Sequence, residues 1–246
     1  GIVIREPPLE KVDILSTRRV SILLLQLPTS FEPLSKSLEM NAMPSCGIVE
    51  KSGELGYDEI MENWNEIRRR ELLSCSIFRI IEAERESEGG KRGKFYLLEA
   101  PDWVTVLPLT RDDKGRSCFL LVEQYRHGSG KGTFEFPAGT VDPGENPHET
   151  ARRELREETG YTADGLKTIG VLSPNPAFMS NHTHTFLAEG LRPAGDQRLD
   201  IHESIRVHLV PVEEVQKKMG TGSYDNAIMV AALALYDRYA RTDGRK

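Results

Sequence analysis

Apolar and polar positions along the chain change period several times, and each change marks an element. Residues 1–56 give mixed signals: an apolar run over 12–27 is compatible with a strand, while 28–53 is rich in turn formers and reads as loop. Ile60, Met61, Trp64 and Ile67 then recur at helical spacing and predict an amphipathic helix over 57–73. Alternating, β-prone runs over 75–83 and 93–99 flank a polar turn at 84–92. Two further strands are predicted over 103–109 and 118–124, joined by the hairpin turn Arg111-Asp112-Asp113-Lys114-Gly115, and a short strand over 133–136. Runs over 166–172, 184–189 and 205–211 read as strands, and the Ala/Leu/Met/Tyr-rich segment 227–241 as a closing helix. Strands on both sides of a central helix predict an α/β (α+β) fold, a mixed β-sheet sandwiched between helices and preceded by a small N-terminal β unit. The domain reading is an extension over 1–56, a helix plus small β unit over 57–104, and a main domain over 105–246.

The central helix carries its own boundary signals. Asn146 is a good N-cap, Pro147 suits the first helical position, Glu149 completes a capping box, and Gly160 sits where a left-handed C-terminal residue is usual, which predicts a helix over 147–159. At 3.6 residues per turn Glu154, Glu157 and Glu158 share an arc of about 100°, beside the apolar stripe of Ala151 and Leu155. Like charges at such spacing repel, so something positive should offset them. Arg152, Arg153 and Arg156 supply part of it, and oxygen-only donors of this kind also suit Mg²⁺, with Mn²⁺ as the alternative. The turn Asp142-Pro143-Gly144 folds the chain back so that Ala138 and Gly139 can bring main-chain carbonyls towards the same ions.

Composition narrows the partners. With 246 residues and 38% hydrophobic content the chain is long enough for one large or two small domains. A net charge of −6 leaves no basic surplus for a nucleic-acid backbone, so no nucleic acid is expected as an obligate partner. No run approaches the length needed to span a bilayer, which predicts no membrane partner, and Val20 to Leu27 behind Arg18-Arg19 is too short and lacks a small-residue site for a signal peptide. Cys46, Cys75 and Cys118 are odd in number and scattered, reading as reduced thiols in a cytoplasmic setting.

The segment Gly139-Thr-Val-Asp-Pro-Gly-Glu-Asn-Pro-His-Glu-Thr-Ala-Arg-Arg-Glu-Leu-Arg-Glu-Glu-Thr-Gly-Tyr161 resembles a Nudix box. Gly139, Glu145, Arg153, Glu154, Glu157, Glu158 and Gly160 are single-residue requirements of that pattern, and at ordinary residue usage the chance of such a match is on the order of one in a hundred million per window. Tyr161 stands where an aliphatic residue is usual. The resemblance extends over about 100–240 and is to the Nudix hydrolases, nearest the ADP-ribose and nucleotide-sugar pyrophosphatase branch. Glu123-Gln124-Tyr125-Arg126, Phe134-Glu135-Phe136-Pro137-Ala138-Gly139, Glu203-Ser204-Ile205-Arg206-Val207 and the placement of Pro176 fifteen residues after Tyr161 are similar to that branch. The stretch 173–184 departs from the Pro-Gly-Phe pattern of strict ADP-ribose specificity.

The resemblance implies metal-assisted hydrolysis of a diphosphate linkage. Ala138, Glu154, Glu157, Glu158 and Glu203 are the implied metal ligands, and Glu157, Glu158, Arg153 and Glu203 the catalytic set, with Arg153 expected to hold a glutamate by ion pair. Glu203 is the candidate base, with Asp200 competing. Arg126 is expected to clamp a substrate phosphate, Glu135 to be an outer ligand or orient a substrate group, and Phe178 to stack on a base or sugar. His182 and His184, two apart before a strand, are expected to point to opposite faces. The expected reaction is ADP-ribose to AMP and ribose 5-phosphate; the alternatives are another nucleotide sugar, a dinucleoside polyphosphate, or a non-catalytic nucleotide-metabolite sensor. In that branch a β unit ahead of the catalytic domain is exchanged between subunits, which implies a homodimer built through 74–104.

Overall fold

A computed structural model of the chain describes residues 62–199 and 203–242. The readings made for 1–56, for Ile60 and Met61, and for Asp200 lie outside the described residues.

Strands β1 (Trp64–Ser74), β2 (Arg79–Ser87) and β3 (Arg92–Glu99) form an antiparallel sheet in the order β1-β2-β3. The predicted helix over 57–73 is therefore a strand from Trp64 onward. A helix there would need a partner for its apolar face, but β1 is exposed along its whole length. What the segment offers instead is cross-strand charge: its register sets Glu66 opposite Arg85, Arg68 opposite Glu84 and Arg70 opposite Glu82. The strand predicted over 75–83 begins only at Arg79, because residues 75–78 make the connecting turn, with Cys75 N–H on the Phe78 carbonyl at 3.0 Å. The turn predicted over 84–92 shrinks to the few residues around Gly90, which has φ 78°.

The second sheet holds β4 (Trp103–Arg111), β5 (Ser117–Arg126), β6 (Lys131–Glu135), β7 (Ala138–Thr140), β8 (Tyr161–Leu172), β9 (Thr183–Pro193) and β10 (Arg206–Pro211). Its order is β10-β5-β4-β9-β8, with β6 beside β5 and β7 beside β4. β4 and β9 run parallel and the other neighbours antiparallel, so the sheet is mixed as expected. Helix α1 (Pro147–Thr159) covers one face, and α2 (Val212–Lys218) and α3 (Ala227–Thr242) pack on the other. The short α2 was not legible in the apolar pattern, since only Val215 of its residues is buried.

Strand alternation sorts the core into two layers. Val104 and Val106 of β4 meet Phe186 and Ala188 of β9 and Ala151 and Leu155 of α1. Leu107 on the opposite face joins Phe119, Leu121, Phe136, Leu187 and the α3 residues Met229, Ala232 and Leu233. Each fully buried Leu or Phe in these layers contributes roughly 1.5–3 kcal/mol, enough to fix α1 firmly on the sheet. Among the described residues no helix is long and apolar enough to cross a membrane.

Candidate active site

The ends of α1 are set locally, as its sequence predicts. Asn146 is extended (φ −97°, ψ 154°) and accepts from the backbone N–H of His148 and Glu149, both at 3.0 Å, while the Glu149 side chain reaches back to Asn146 N–H. Gly160 closes the helix at φ 75°. Ala151 and Leu155 bury one face, and the neighbouring strip carries Glu154, Glu157 and Glu158 over β7.

β7 meets that strip with its outward peptide groups. Pro137 and Val141 bond to β4, through Val106 N–H on the Pro137 carbonyl and Val141 N–H on the Asp102 carbonyl, both at 2.8 Å. By strand alternation Ala138 and Thr140 turn the other way. Ala138 N–H donates to Glu158 Oε2 at 3.1 Å, and the Thr140 carbonyl accepts from Arg153 Nη2 at 3.2 Å. The Glu154 carboxylate lies directly against Gly139, where any Cβ would collide with it.

Arg153 gathers the box glutamates. Its Nη1 donates to Glu154 at 2.7 Å and Glu157 at 3.2 Å, and Nε and Nη2 to Glu145 at 3.2 and 3.0 Å. One guanidinium therefore hydrogen-bonds to three carboxylates, has Asp142 as a fourth partner at 3.7 Å, and does not reach Glu158. Burial pushes Glu154 up to about 7, with Glu157 and Glu203 adding to it against the pull of Arg153. Burial also pushes Glu158 well above the usual carboxylate range, helped by Glu154 and Glu203 and opposed by the Ala138 N–H and Arg126. Among the described residues no three His, Cys, Asp or Glu side chains converge into a closed ligand shell, and Arg153 stands between two of the candidates. The chemistry of the donors nonetheless fits a hard divalent cation: all are oxygens, Glu158 is buried and Glu154 half-buried, and their negative charge is only partly offset.

Across the site, Arg126 at the end of β5 and Glu135 at the end of β6 form a close pair. Nε donates to both Glu135 oxygens at 3.1 and 3.2 Å, and Nη2 to Oε2 at 2.7 Å. Glu135 is fully buried and also accepts from Thr133 Oγ1 at 2.6 Å. Burial alone would raise its pKa, but the Arg126 bonds and charge, with those of Thr133 and Asn226, hold it below the usual carboxylate value. Both Glu135 oxygens are held by Arg126, and one of them also by Thr133, so the close partner of this carboxylate is Arg126. A cavity of about 350 Å³ opens beside Arg126, with Trp103, Thr105, Gly139, Ile228 and Ile77 among its walls.

The remaining expectations fall at varied distances from this centre. Glu203 is exposed, and its charge acts on Glu154, Glu158 and Arg126, which places it beside the box. Phe178 is exposed and its carbonyl accepts from Leu98 N–H at 2.8 Å, so it joins its loop to β3 and does not line the cavity. His182 and His184 do not part to opposite faces: both lie beside Asp102, His184 Nε2 at 2.9 Å and His182 Nδ1 at 3.9 Å, because His182 precedes β9 and is not bound by strand alternation. Thr133, Asn226 and Asp102 were missed. Thr133 stands two before Glu135 on the same strand face, and Asn226 immediately precedes α3 with its side chain on Ile228 N–H, an N-cap signature that the sequence did display.

A mixed sheet with an acidic, box-bearing helix on one face and a basic residue across from it defines a hydrolase of the Nudix fold. The family model described as NUDIX domain matches residues 101–230, and the chain belongs to the Nudix family. It is 35% identical over 152 residues to an ADP-ribose pyrophosphatase of Bacillus subtilis, covering 61% of this chain and 80% of that protein. It is 36% identical over 130 residues to an ADP-ribose pyrophosphatase of Mycobacterium tuberculosis, covering 52% of this chain and 62% of that one. A crystal structure of an ADP compounds hydrolase shares the fold with a TM-score of 0.65 at 24% identity, covering 74% of this chain and 97% of that one.

Proposed function

We propose that this Nudix hydrolase cleaves the diphosphate bond of a nucleoside diphosphate sugar, with ADP-ribose giving AMP and ribose 5-phosphate as the leading case. The observation that carries this reading is the placement of a pocket with a basic wall, Arg126, directly beside the Gly139 face against which the half-buried Glu154 lies. The two similar ADP-ribose pyrophosphatases support the substrate class.

Glu154, Glu157, Glu158, Glu203 and the Ala138 carbonyl would hold divalent metal, Mg²⁺ in the first instance. When bound, such an ion neutralises diphosphate charge and lowers the pKa of an attacking water. Arg153 keeps Glu145, Glu154 and Glu157 in register, and Gly139 leaves room for Glu154. Arg126 takes a phosphate oxygen, and Glu203 accepts the proton of the attacking water. Exposed Trp64, Ile67, Leu72, Leu73 and Tyr96 on the small sheet support a homodimer formed through that sheet. Free thiols at Cys75 and Cys118 are consistent with a cytoplasmic setting.

Incubation with ADP-ribose, other nucleotide sugars and dinucleoside polyphosphates in the presence of Mg²⁺, followed by mass identification of products, tests the reading. AMP and ribose 5-phosphate are expected from ADP-ribose. Bound but uncleaved ADP-ribose would reject the reading in favour of a sensor, and preferential cleavage of a polyphosphate would reassign the substrate.

A further inference from the structure

The Arg126–Glu135 pair stands out because the rest of the site is short of positive charge. Arg126 lies within electrostatic reach of two sets of carboxylates, Glu135 on one side and Glu158 with Glu203 on the other. It bonds only to the first, through Nε and Nη2, and no hydrogen bond from Nη1 is found among the described residues. Glu135 is itself held from a further direction by Thr133 Oγ1 at 2.6 Å, on the same face of β6. A buried carboxylate with every oxygen engaged is a rigid anchor. Arg153, though itself held by Glu145, shows that a guanidinium at this site takes up the α1 carboxylates, since it bonds to Glu154 and Glu157.

We infer that Glu135 is a positioning residue that tethers Arg126 away from the α1 carboxylates, so that the guanidinium does not take the place of a cation there and Nη1 stays free for a phosphate oxygen in the adjoining cavity. The inference rests on the metal-site part of the proposed function and is independent of which sugar the substrate carries. With the tether removed, the α1 carboxylate that faces Arg126 is Glu158, which lies on Ala138 at the wall of the same cavity and which Arg153 does not reach. The guanidinium then competes with metal, and the defect belongs to Arg126 rather than to a loosened fold.

Calorimetric titration of the full chain with Mn²⁺, without substrate, tests this. Glu135→Gln should weaken Mn²⁺ binding roughly tenfold, in the range usual for lost outer-shell partners. Glu135→Gln combined with Arg126→Ala should bind Mn²⁺ as tightly as the parent or more so, because no guanidinium remains to intrude. A folded Glu135→Gln protein with parental Mn²⁺ affinity, or a double variant as weak as the single one, overturns the inference. If Glu135→Gln does not fold, Thr133→Val serves instead: it loosens the anchor while keeping its charge, and should weaken binding by roughly twofold, within the scale of one lost neutral hydrogen bond. Unchanged affinity in that variant overturns the inference equally. Failure of the parent to bind Mn²⁺ at all would instead strike the metal site of the proposed function.

Discussion

The small sheet and the α1–β7 face are both crowded with charged side chains and balance them in opposite ways. On the small sheet each acid meets a base across the strands: Arg70 with Glu82 at 3.1 Å, Arg79 with Glu99 at 2.9 Å, Lys94 with Glu84 at 3.4 Å, all in contact with water. On the α1–β7 face one arginine serves Glu145, Glu154 and Glu157 while Glu158 is buried beyond its reach. Balanced, solvated charge sets register and does little else. Unbalanced, buried charge is costly by itself and therefore points to something supplied from outside the chain.

The comparison is broken most severely at Glu157. Glu157→Gln should lower kcat at least about a hundredfold by weakening the cation site, with unchanged circular dichroism because the side chain is partly exposed; near-parental kcat would dissociate these glutamates from the chemistry. Next in size is a pH effect on the metal-free protein. The Glu154 carboxyl titrates near 7 when folded against 4.5 when not, so the folded state holds its proton more tightly. That contribution is fully present below about pH 4.5 and is lost as pH rises towards 7, by about 3 kcal/mol at 1.36 kcal/mol per unit. Thermal unfolding in chelator should show this fall at Glu154 when compared with Glu154→Gln, and added Mg²⁺ should suppress it. A pH profile identical in the two proteins would remove the surplus charge from the argument.

Gly139→Ala comes third. The added methyl must displace the Glu154 carboxylate, so the variant should stay folded, lose roughly 1–3 kcal/mol to overpacking, and need more metal for half-maximal activity. Parental metal dependence would show that Glu154 can move without consequence. The smallest effect belongs to the other region: Arg70→Ala, which removes a solvated cross-strand pair, should shift the unfolding midpoint by no more than about 2 °C. A larger shift would mean that the small sheet depends on its charges as the buried face does.

Legibility in the sequence followed the range of the forces involved. α1 was fully legible, because Asn146, Pro147, Glu149 and Gly160 act within one turn of its ends, and the box glutamates are displayed by helix period alone. β1 was misread because Trp64 and Ile67 also fit a helical spacing, and the partners that decide for a strand, Glu82, Glu84 and Arg85, lie beyond a turn whose extent was itself overestimated. Arg126 and Glu135 were both singled out, yet their union was hidden, since it depends on β5 and β6 pairing with Arg126 opposite Lys131. Asn226, which bounds the same cavity from the start of α3, was harder still, since it lies some ninety residues further along the chain.

The parallel contact between β4 and β9 also bears on when the site comes into being. Asp102 and His182, at the mouths of these strands, are separated by 80 residues, and α1 lies within the intervening stretch. Val104 and Val106 of β4 and Phe186 of β9 together form the floor on which Ala151 and Leu155 rest. The floor is complete only after that long loop has closed, a slow event for a chain with such distant pairings. The caps of the acidic helix are local, but the burial of its glutamates depends on that distant pairing. The perturbed carboxylates, and with them the demand for a cation, are therefore a property of the closed sheet and not of the helix alone.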